Sequence, residues 1–362
     1  MNNEVWILGA SGRTARAIAA LLDEAGVPLV LVGRDLERLE GVAARLAGSP
    51  RLLAGTLEAN LAALAEAGPG VVVNTVGPFT ATGVAVARAC PPGTHYVDIA
   101  NEFAAVENIL GLDQEAVAGH QVFVTAAGFG VLATESVVLR LCEGQPRPTQ
   151  VRVDALATLA VEAGEVGAAL AGTIAEIAAF GGREVRHGRV VRSRTAGHAT
   201  RLTTPDGDVL STGAGASGDL LAAWWASKAD SVIAASTAAP ANPIVRLVIP
   251  GVSALFRVPV ISRLAVRRIA RIKLRPREMA RTSSWGHARV EWPSGMVREG
   301  WLRVGDGTDF TASITAEVAR RLLNGEGRPG AHTPGALFGS QLAEDLGGTF
   351  ILHESSTTTR TL

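Results

Sequence analysis

The sequence predicts an α/β protein: a doubly wound parallel sheet, then a second α+β domain built on a mainly antiparallel sheet. Three observations predict it. Short apolar runs alternate with amphipathic helical patterns over the first 128 residues, as parallel strands joined by crossover helices require. From about Val151 strand patterns follow one another across hairpin-like turns such as Trp292-Pro-Ser-Gly295, as antiparallel pairing requires. The length, 362 residues, also exceeds what one hydrophobic core comfortably serves.

The elements follow in order. In the first domain, strands are expected at 5–8, 29–32, 51–54, 71–75, 95–98 and 121–125, and helices at 14–25, 35–46, 57–67 and 83–89. In the second, strands are expected at 151–158, 185–194, 287–292, 297–304 and 310–316, with a helix over about 172–180. The expected division is 1–128, a dinucleotide-binding domain, 129–329, a substrate and dimerisation domain, and 330–362, a terminal segment.

The first strand pattern ends in a glycine turn. After the apolar run come Gly9, Ala10, Ser11, Gly12, Arg13, Thr14 and Ala15, and alanine-rich helical sequence continues to Leu22. The N–H groups and positive dipole end of such a helix form a pyrophosphate site. Gly9 permits the turn, Gly12 lets phosphates approach the backbone, and Ala15 lets the helix lie close to the strand. The spacing G-x-x-G-x-x-A is a variant of the dinucleotide fingerprint. An ordinary βα turn has similar glycines, but the place before a second strand favours the nucleotide.

That second strand ends in Gly33-Arg34, nineteen residues beyond Ala15. An NAD-binding unit carries an acidic residue there for the ribose 2′-hydroxyl. A guanidinium at Arg34 pairs instead with a 2′-phosphate, and Arg38 stands one helical turn further on. NADP(H) is therefore expected over NAD(H). Asp35 is the competing feature, because its carboxylate suits the hydroxyl.

The remaining loops of the same edge supply the other candidates. Asn74, Thr75, Val76, Gly77, Pro78 and Phe79 follow the fourth strand. Gly77-Pro78 turns the chain across the switch point from the first glycine loop. Backbone groups there suit the nicotinamide ribose, with Phe79 as an apolar wall. The fifth strand delivers Asp98, Asn101 and Glu102. Asp98 and Glu102 are candidates for acid–base work, and capping of the next helix is an equal reading of Asp98. The sixth strand runs into Ala126-Ala-Gly-Phe-Gly130, with Thr134 and Glu135 as helix caps. In the second domain Gly172-Thr173 opens a helix whose N–H groups and hydroxyl suit a substrate carbonyl, and Thr173 is otherwise a cap.

Composition excludes several classes. Thirty-four basic and 34 acidic residues leave no net charge, so nothing points to a nucleic-acid partner. Cys90 and Cys142 stand in apolar segments as thiols of a reducing compartment, and the N-terminus runs directly into the first strand, so a cytoplasmic protein is expected. None of the seven histidines has metal-ligand spacing, so no metal site is expected. The single tyrosine, Tyr96, has Ala100 four positions later rather than lysine. Segment 244–281 is apolar and arginine-rich, but Pro250 and Pro259 interrupt it, and no run is long enough to span a bilayer. Packing on its own domain or a partner is the main expectation, and membrane-surface contact the lesser one. A homodimer is expected.

Across Gly9-Ala-Ser-Gly-Arg-Thr-Ala15, Val73-Asn-Thr-Val-Gly-Pro-Phe79 and Gly93-Thr-His-Tyr-Val-Asp-Ile-Ala-Asn-Glu102 the chain resembles the saccharopine dehydrogenase-like oxidoreductases, in the trans-acting enoyl reductase branch. Weaker matches are Ala127-Gly-Phe-Gly130, Gly172-Thr173, 230–237 with Asn242-Pro-Ile244, and His332-Thr-Pro-Gly-Ala336. The resemblance implies a Rossmann domain closed by a C-terminal helix after Thr333, and NAD(P)-linked hydride transfer to a small, largely apolar substrate at a C=N or activated C=C bond. The alternative is an NADP(H)-binding protein without turnover. The family often carries Gly-Phe-Asp where this chain has Gly-Phe-Gly130, so a polar group expected at position 130 is missing.

Overall fold

The computed structural model describes residues 3–158, 164–165, 180–238, 256, 259–274 and 281–355. The chain divides into two compact units, one of Met1–Phe129 with Thr308–Phe338, the other of Gly130–Gly307 with Gly339–Leu362. The division differs from the expected boundaries at 329 and 330. A long helix already brings the chain back to the first unit at Thr308, and the last strand belongs to the second.

The first unit is a parallel sheet. Its strands β1 (Val5–Leu8), β2 (Leu29–Gly33), β3 (Arg51–Ala54), β4 (Val71–Asn74), β5 (His95–Asp98) and β6 (Val122–Val124) match the expected apolar runs to within a residue or two. A seventh strand, Gly330–His332, pairs parallel with β6. The spatial order is Gly330–His332, β6, β5, β4, β1, β2, β3, all parallel. The order reverses between β1 and β4, which makes their carboxyl ends the switch point where ligands of such sheets bind.

Helices cover the sheet because their apolar residues recur at helical spacing. In α1 (Arg13–Glu24), Ala15, Ile18, Ala19 and Leu22 are buried. Asp35 and Thr56 cap α2 (Leu36–Ala43) and α3 (Leu57–Ala67), accepting from Arg38 N and Ala59 N. The helix α4 (Phe79–Ala89) begins four residues earlier than expected. Two short helices, α5 (Phe103–Leu110) and α6 (Asp113–Ala118), were not foreseen. One shared core holds Trp6, Leu64, Val86, Tyr96, Ile109 and Phe123.

The expected strand at 310–316 is a correction. Those residues lie inside the helix Gly307–Leu323. Phe310-Thr-Ala-Ser-Ile-Thr-Ala316 alternates like a strand, but Phe310, Ile314, Val318 and Leu322 are all buried at four-residue spacing, and the longer helical period prevails.

The second unit is built on a nine-stranded sheet. Its path runs Arg189–Ser193, Gly182–Arg186, Ser231–Ser236, β7 (Gln150–Leu156), Ser284–Glu291, Val297–Val304, Thr349–Ser355, with the hairpin Thr200–Thr203/Val209–Ala214 joined to Ser231–Ser236. Among the described residues only the pair Ser231–Ser236 with β7 is parallel in this sheet. The expected turn after Trp292 is present, closed by Gly295 N to Trp292 O at 3.0 Å. The single strand expected at 185–194 is two strands joined by His187-Gly188, both at positive φ, which suits a two-residue hairpin.

The helix α7 (Phe129–Cys142) lies tightly on one face of this sheet. A Cβ on Gly286 would come within 2.6 Å of the Ala133 carbonyl, and one on Gly300 within 3.0 Å of Val137, so glycine sets the close approach. On the other face Leu156, Trp285 and Trp301 form a small core with Leu202 and Leu210 of the hairpin. Residues 172–179 of the expected helix, Gly172 and Thr173 among them, lie outside the described residues.

Candidate functional site

The carboxyl edge of the first unit's sheet gathers the loops after β1, β2, β4, β5 and β6. The β1 loop is fixed by its neighbours. Gly9 N and Ala10 N both donate to Val32 O, at 2.9 and 3.1 Å, and Ala10 is fully buried. Gly9 has φ +79°, and a Cβ there would stand 2.7 Å from Thr75 Oγ1 and 3.1 Å from Val76 Cγ2. No other residue meets both demands. Thr75 completes the junction, its Oγ1 donating to Leu8 O at 2.7 Å.

Gly12 has a different role. It is the N-cap of α1, with no side-chain cap, and its N–H donates to Gly9 O at 2.9 Å. A Cβ there would meet only Gly9 O at 3.2 Å and Ala15 Cβ at 4.0 Å. No acidic residue occupies the first turn of α1, so the positive end of this helix is not neutralised by a local carboxylate. Ser11 O accepts from Arg16 Nη1, while Ser11, Arg13 and Thr14 lie at the outer, solvent-accessible part of the turn. Ala15 is buried against the sheet.

At the end of β2, Arg34 is exposed and enters no ion pair among those of the described residues. Asp35 is engaged: its carboxylate caps α2 and pairs with Arg38 at 3.5 Å. Asn60, which the sequence reading missed, ties the same edge together by donating to Gly33 O and Gly55 O.

After β4, the fully buried Asn74 shapes the turn. Its Oδ1 accepts from Val76 N at 3.0 Å, and its Nδ2 donates to Thr82 Oγ1, which donates in turn to Val76 O. Gly77–Pro78 is a cis peptide. Phe79 is buried as the first residue of α4, so the wall it forms belongs mainly to the interior.

Asp98 is neither a cap of the next helix nor an open carboxylate. It is fully buried, and α5 has Glu102 at its N-cap position. Oδ1 accepts from Ala100 N, Thr125 Oγ1 and Ala126 N, each at 2.9 Å, and Oδ2 accepts from Tyr96 Oη at 2.8 Å. Burial raises its pKa, against the pull of these donors. Asp98 thus anchors the β5 and β6 loops to one point. Tyr96 is similarly interior, its hydroxyl also accepting from Asn74 Nδ2, and burial raises its pKa well above the ordinary value. The Glu102 side chain is buried and accepts from Asn101 N at 3.1 Å. The returning helix holds the β6 loop as well, with Thr315 Oγ1 donating to Ala127 O and Thr311 Oγ1 accepting from Phe129 N.

The cysteines and the strand histidine are not reactive groups here. Burial raises the Cys90 thiol far above its normal range and the Cys142 thiol to about 11, and both are free. His95 accepts from Val122 N through Nδ1, and burial lowers its pKa.

In the second unit, Thr134 is not a cap. The helix starts at Phe129, and Thr134 Oγ1 donates back to Gly130 O at 2.9 Å. The polar group missing at position 130 has a counterpart that sequence reading did not find. A Cβ on Gly130 would stand 3.0 Å from Asp219 Oδ1, so a buried carboxylate fills that space, with Thr134 Oγ1 3.4 Å away. Burial raises the Asp219 pKa. The glycine at 130 was the available signal, and its partner 89 residues later was not.

A second network was also missed. Asp154, wholly buried on β7, meets Arg152 at 2.8 and 3.0 Å, Thr212 Oγ1 at 2.6 Å and His287 Nδ1 at 3.0 Å. His287 Nε2 meets Glu299 at 2.9 Å, and its ring lies 4.3 Å from that of Trp301. Burial alone would lower the His287 pKa, but the hydrogen bonds and charges of Asp154 and Glu299 raise it.

Comparison with known proteins places the chain. No family model matches it. A trans-acting enoyl reductase of Mycobacterium bovis (strain BCG / Pasteur 1173P2) is 34% identical over 152 residues, covering 38% of this chain and 35% of the relative. That of Mycobacterium leprae is 29% identical over 147 residues, with the same coverage. The match thus spans about a third of the length of these curated relatives. Among solved structures, apo saccharopine dehydrogenase (L-Glu forming) from Saccharomyces cerevisiae aligns with 98% of this chain and 100% of its own, at TM-score 0.62 and 12% identity. The chain has a saccharopine dehydrogenase-like fold and is similar in sequence, over 38% of its length, to the trans-acting enoyl reductases.

Proposed function

We propose that the chain is an NADPH-dependent reductase of a C=N or activated C=C bond in a small, largely apolar substrate. The observation that carries this reading is the β1–α1 turn at the switch point of the sheet. Gly12 leaves its outer side open, and α1 begins with neither a side-chain cap nor an acidic residue, the arrangement that suits a pyrophosphate. The residues fit the cofactor: Gly9 to Ala15 receive the phosphates, Arg34 the 2′-phosphate, and Asn74 to Phe79 the nicotinamide ribose. Asp35 is committed to capping α2 while Arg34 is exposed, which favours NADPH over NADH.

When bound, NADPH supplies the hydride. The chain's own residues position and shield. The Asn74–Thr82–Val76 hydrogen bonds fix the loop beside the nicotinamide, and Asp98 fixes the loops of β5 and β6. Because the Asp98 carboxylate already accepts four hydrogen bonds, its role in this reading is positioning, and Glu102 shapes the same loop. The proton comes from water or from a side chain outside this edge. Thr173 is the proposed hydroxyl toward a substrate carbonyl. Thr173→Val lowers turnover without changing NADPH affinity if that is so, and lowers only stability if Thr173 is a cap.

The relatives' name, enoyl reductase, favours the C=C bond. The test is NADPH oxidation, followed at its near-ultraviolet absorbance, across enoyl thioesters, enones and imines. Substrate-dependent oxidation, fastest with enoyl thioesters, is expected. Tight NADPH binding with no oxidation across the panel would instead identify a binding protein without turnover. The reading extends to a cytoplasmic homodimer, which light scattering of the purified chain tests.

A further inference from the structure

The helix Pro259–Ala270 and the residues just after it carry a run of cations uninterrupted by any acidic residue in sequence, and Lys273 stands opposite Glu165 in a short antiparallel strand pair. Between Arg263 and Lys273 stand Arg263, Arg267, Arg268, Arg271 and Lys273, with no acidic residue. The wider segment 244–281 has ten cationic side chains and one acidic one, Glu278, in a chain whose charges cancel as a whole. All five cations are exposed, and none enters an ion pair recorded among the described residues. Some exposed arginines elsewhere do pair, as Arg88 does with Glu115 and Arg147 with Asp230, while others such as Arg34 do not.

The placement of these side chains is as informative as their number. At 100° per residue, Arg263, Arg267, Leu264 and Arg268 follow one another along one arc of the helix, and the helical period carried on to Arg271 falls between Arg267 and Leu264. The opposite arc, Ala265, Val266, Ile269 and Ala270, is half-buried. Leu264 is therefore set among the cations yet 55% exposed, and Ile272, just past the helix, is 51% exposed. A solvated cationic face needs no large apolar side chains at its centre. A face that meets phosphates and the acyl boundary together needs both, because arginine stems lie along apolar surface while their heads reach the anions. Among the described residues no helix is long and apolar enough to cross a membrane.

We propose that the exposed side chains of Arg263, Leu264, Arg267, Arg268 and Arg271, with Ile272 and Lys273, dock on an anionic lipid surface, the arginines on the headgroups and Leu264 and Ile272 in the interface. The occupant follows from charge complementarity and from the isolated apolar residues. The inference is independent of the reductase reading, since no residue of the nucleotide edge takes part.

The test is cosedimentation of the full chain with vesicles of phosphatidylcholine alone and of equal parts phosphatidylcholine and phosphatidylglycerol, at low and raised salt. Binding to the second vesicles only, weakened severalfold by salt, is expected. Arg267→Glu with Arg268→Glu lowers the bound fraction at least tenfold. Leu264→Ser lowers it severalfold and keeps the salt dependence. Both variants alter exposed side chains, and unchanged NADPH binding and thermal unfolding verify the fold. Should the double variant not fold, the wild-type salt dependence and Leu264→Ser decide. Equal binding to both vesicles, no binding, or variants that bind like wild type overturn the proposal. Loss of a dimer in Leu264→Ser without any lipid binding also overturns it, in favour of a second copy of this chain.

Discussion

Two buried aspartates, one in each unit, are held by opposite means. Asp98 in the first unit is surrounded by neutral donors: two backbone N–H groups, a threonine and a tyrosine. Asp154 in the second is held by a guanidinium, an imidazole and a threonine hydroxyl, and the imidazole is held in turn by Glu299. The neutral arrangement fixes loops without placing a charge beside them, which leaves the electrostatics of the proposed nucleotide edge to α1 and Arg34. The charged arrangement joins β7, Ser284–Glu291 and Val297–Val304 side by side, where a buried charge is tolerated only while paired.

That contrast gives the largest expected effect. Asp154→Ala leaves His287 and Arg152 without their common partner, which costs about 3–5 kcal/mol, and lowers the urea midpoint accordingly. Nucleotide affinity of the remaining folded protein stays at the wild-type value. A variant as stable as wild type would mean that the network contributes nothing net.

Two glycines sharpen the comparison within the first unit. Gly12→Val keeps the fold if the β1 turn gives by a few tenths of an ångström, since its Cβ would meet only Gly9 O at 3.2 Å and Ala15 Cβ at 4.0 Å, and removes dinucleotide binding by occupying the phosphate path. Each charge-assisted hydrogen bond to phosphate that the valine prevents costs roughly 1.5–3 kcal/mol of affinity. Gly9→Ala acts on the fold instead. It forces a residue with a Cβ into φ +79° and against Thr75, a loss of about 1–3 kcal/mol in stability. Titration calorimetry and thermal unfolding separate the two, and the same phenotype in both variants would contradict the assignment.

The smallest effect is in the pH dependence of the second unit. The His287 pKa is raised, so its contribution is complete below the ordinary imidazole value, about 6.5, and is lost as pH rises through the folded value. For Asp154, burial would raise the carboxyl, but His287 and Arg152 lower it, and the hydrogen bond from His287 lowers Glu299. Their contributions are complete above the ordinary carboxylate range, roughly pH 4, and are lost as pH falls through the folded values. The stability difference between wild type and His287→Gln therefore peaks between those limits. Urea midpoints measured across pH check this, and a difference that grows above neutral pH would reverse the sign.

The same contrast explains what was legible in the sequence. The carboxyl edge of the parallel sheet could be read because each loop is a local signal, a few residues between a strand and a helix, and the switch point follows from strand order. The charged network could not, because register across neighbouring strands brings Asp154 to His287, more than a hundred residues later in the chain. Gly130 was noticed as a departure, but Asp219, which fills its space, lies on a distant helix. Residues 310–316 misled because a helix with threonine and serine between its apolar positions alternates over one short window. The turn at His187-Gly188 was overlooked because histidine at positive φ leaves no compositional mark.

The central claim is that the turn after β1 and the arginine after β2 together hold NADPH. Its most direct measurement is the affinity of wild type and Arg34→Ala for NADPH and for NADH, by titration calorimetry at fixed ionic strength. A loss of about 1.5–3 kcal/mol for NADPH, roughly ten- to a hundredfold, with NADH affinity unchanged, is the expected result. Equal losses for both nucleotides, or none for either, would contradict it.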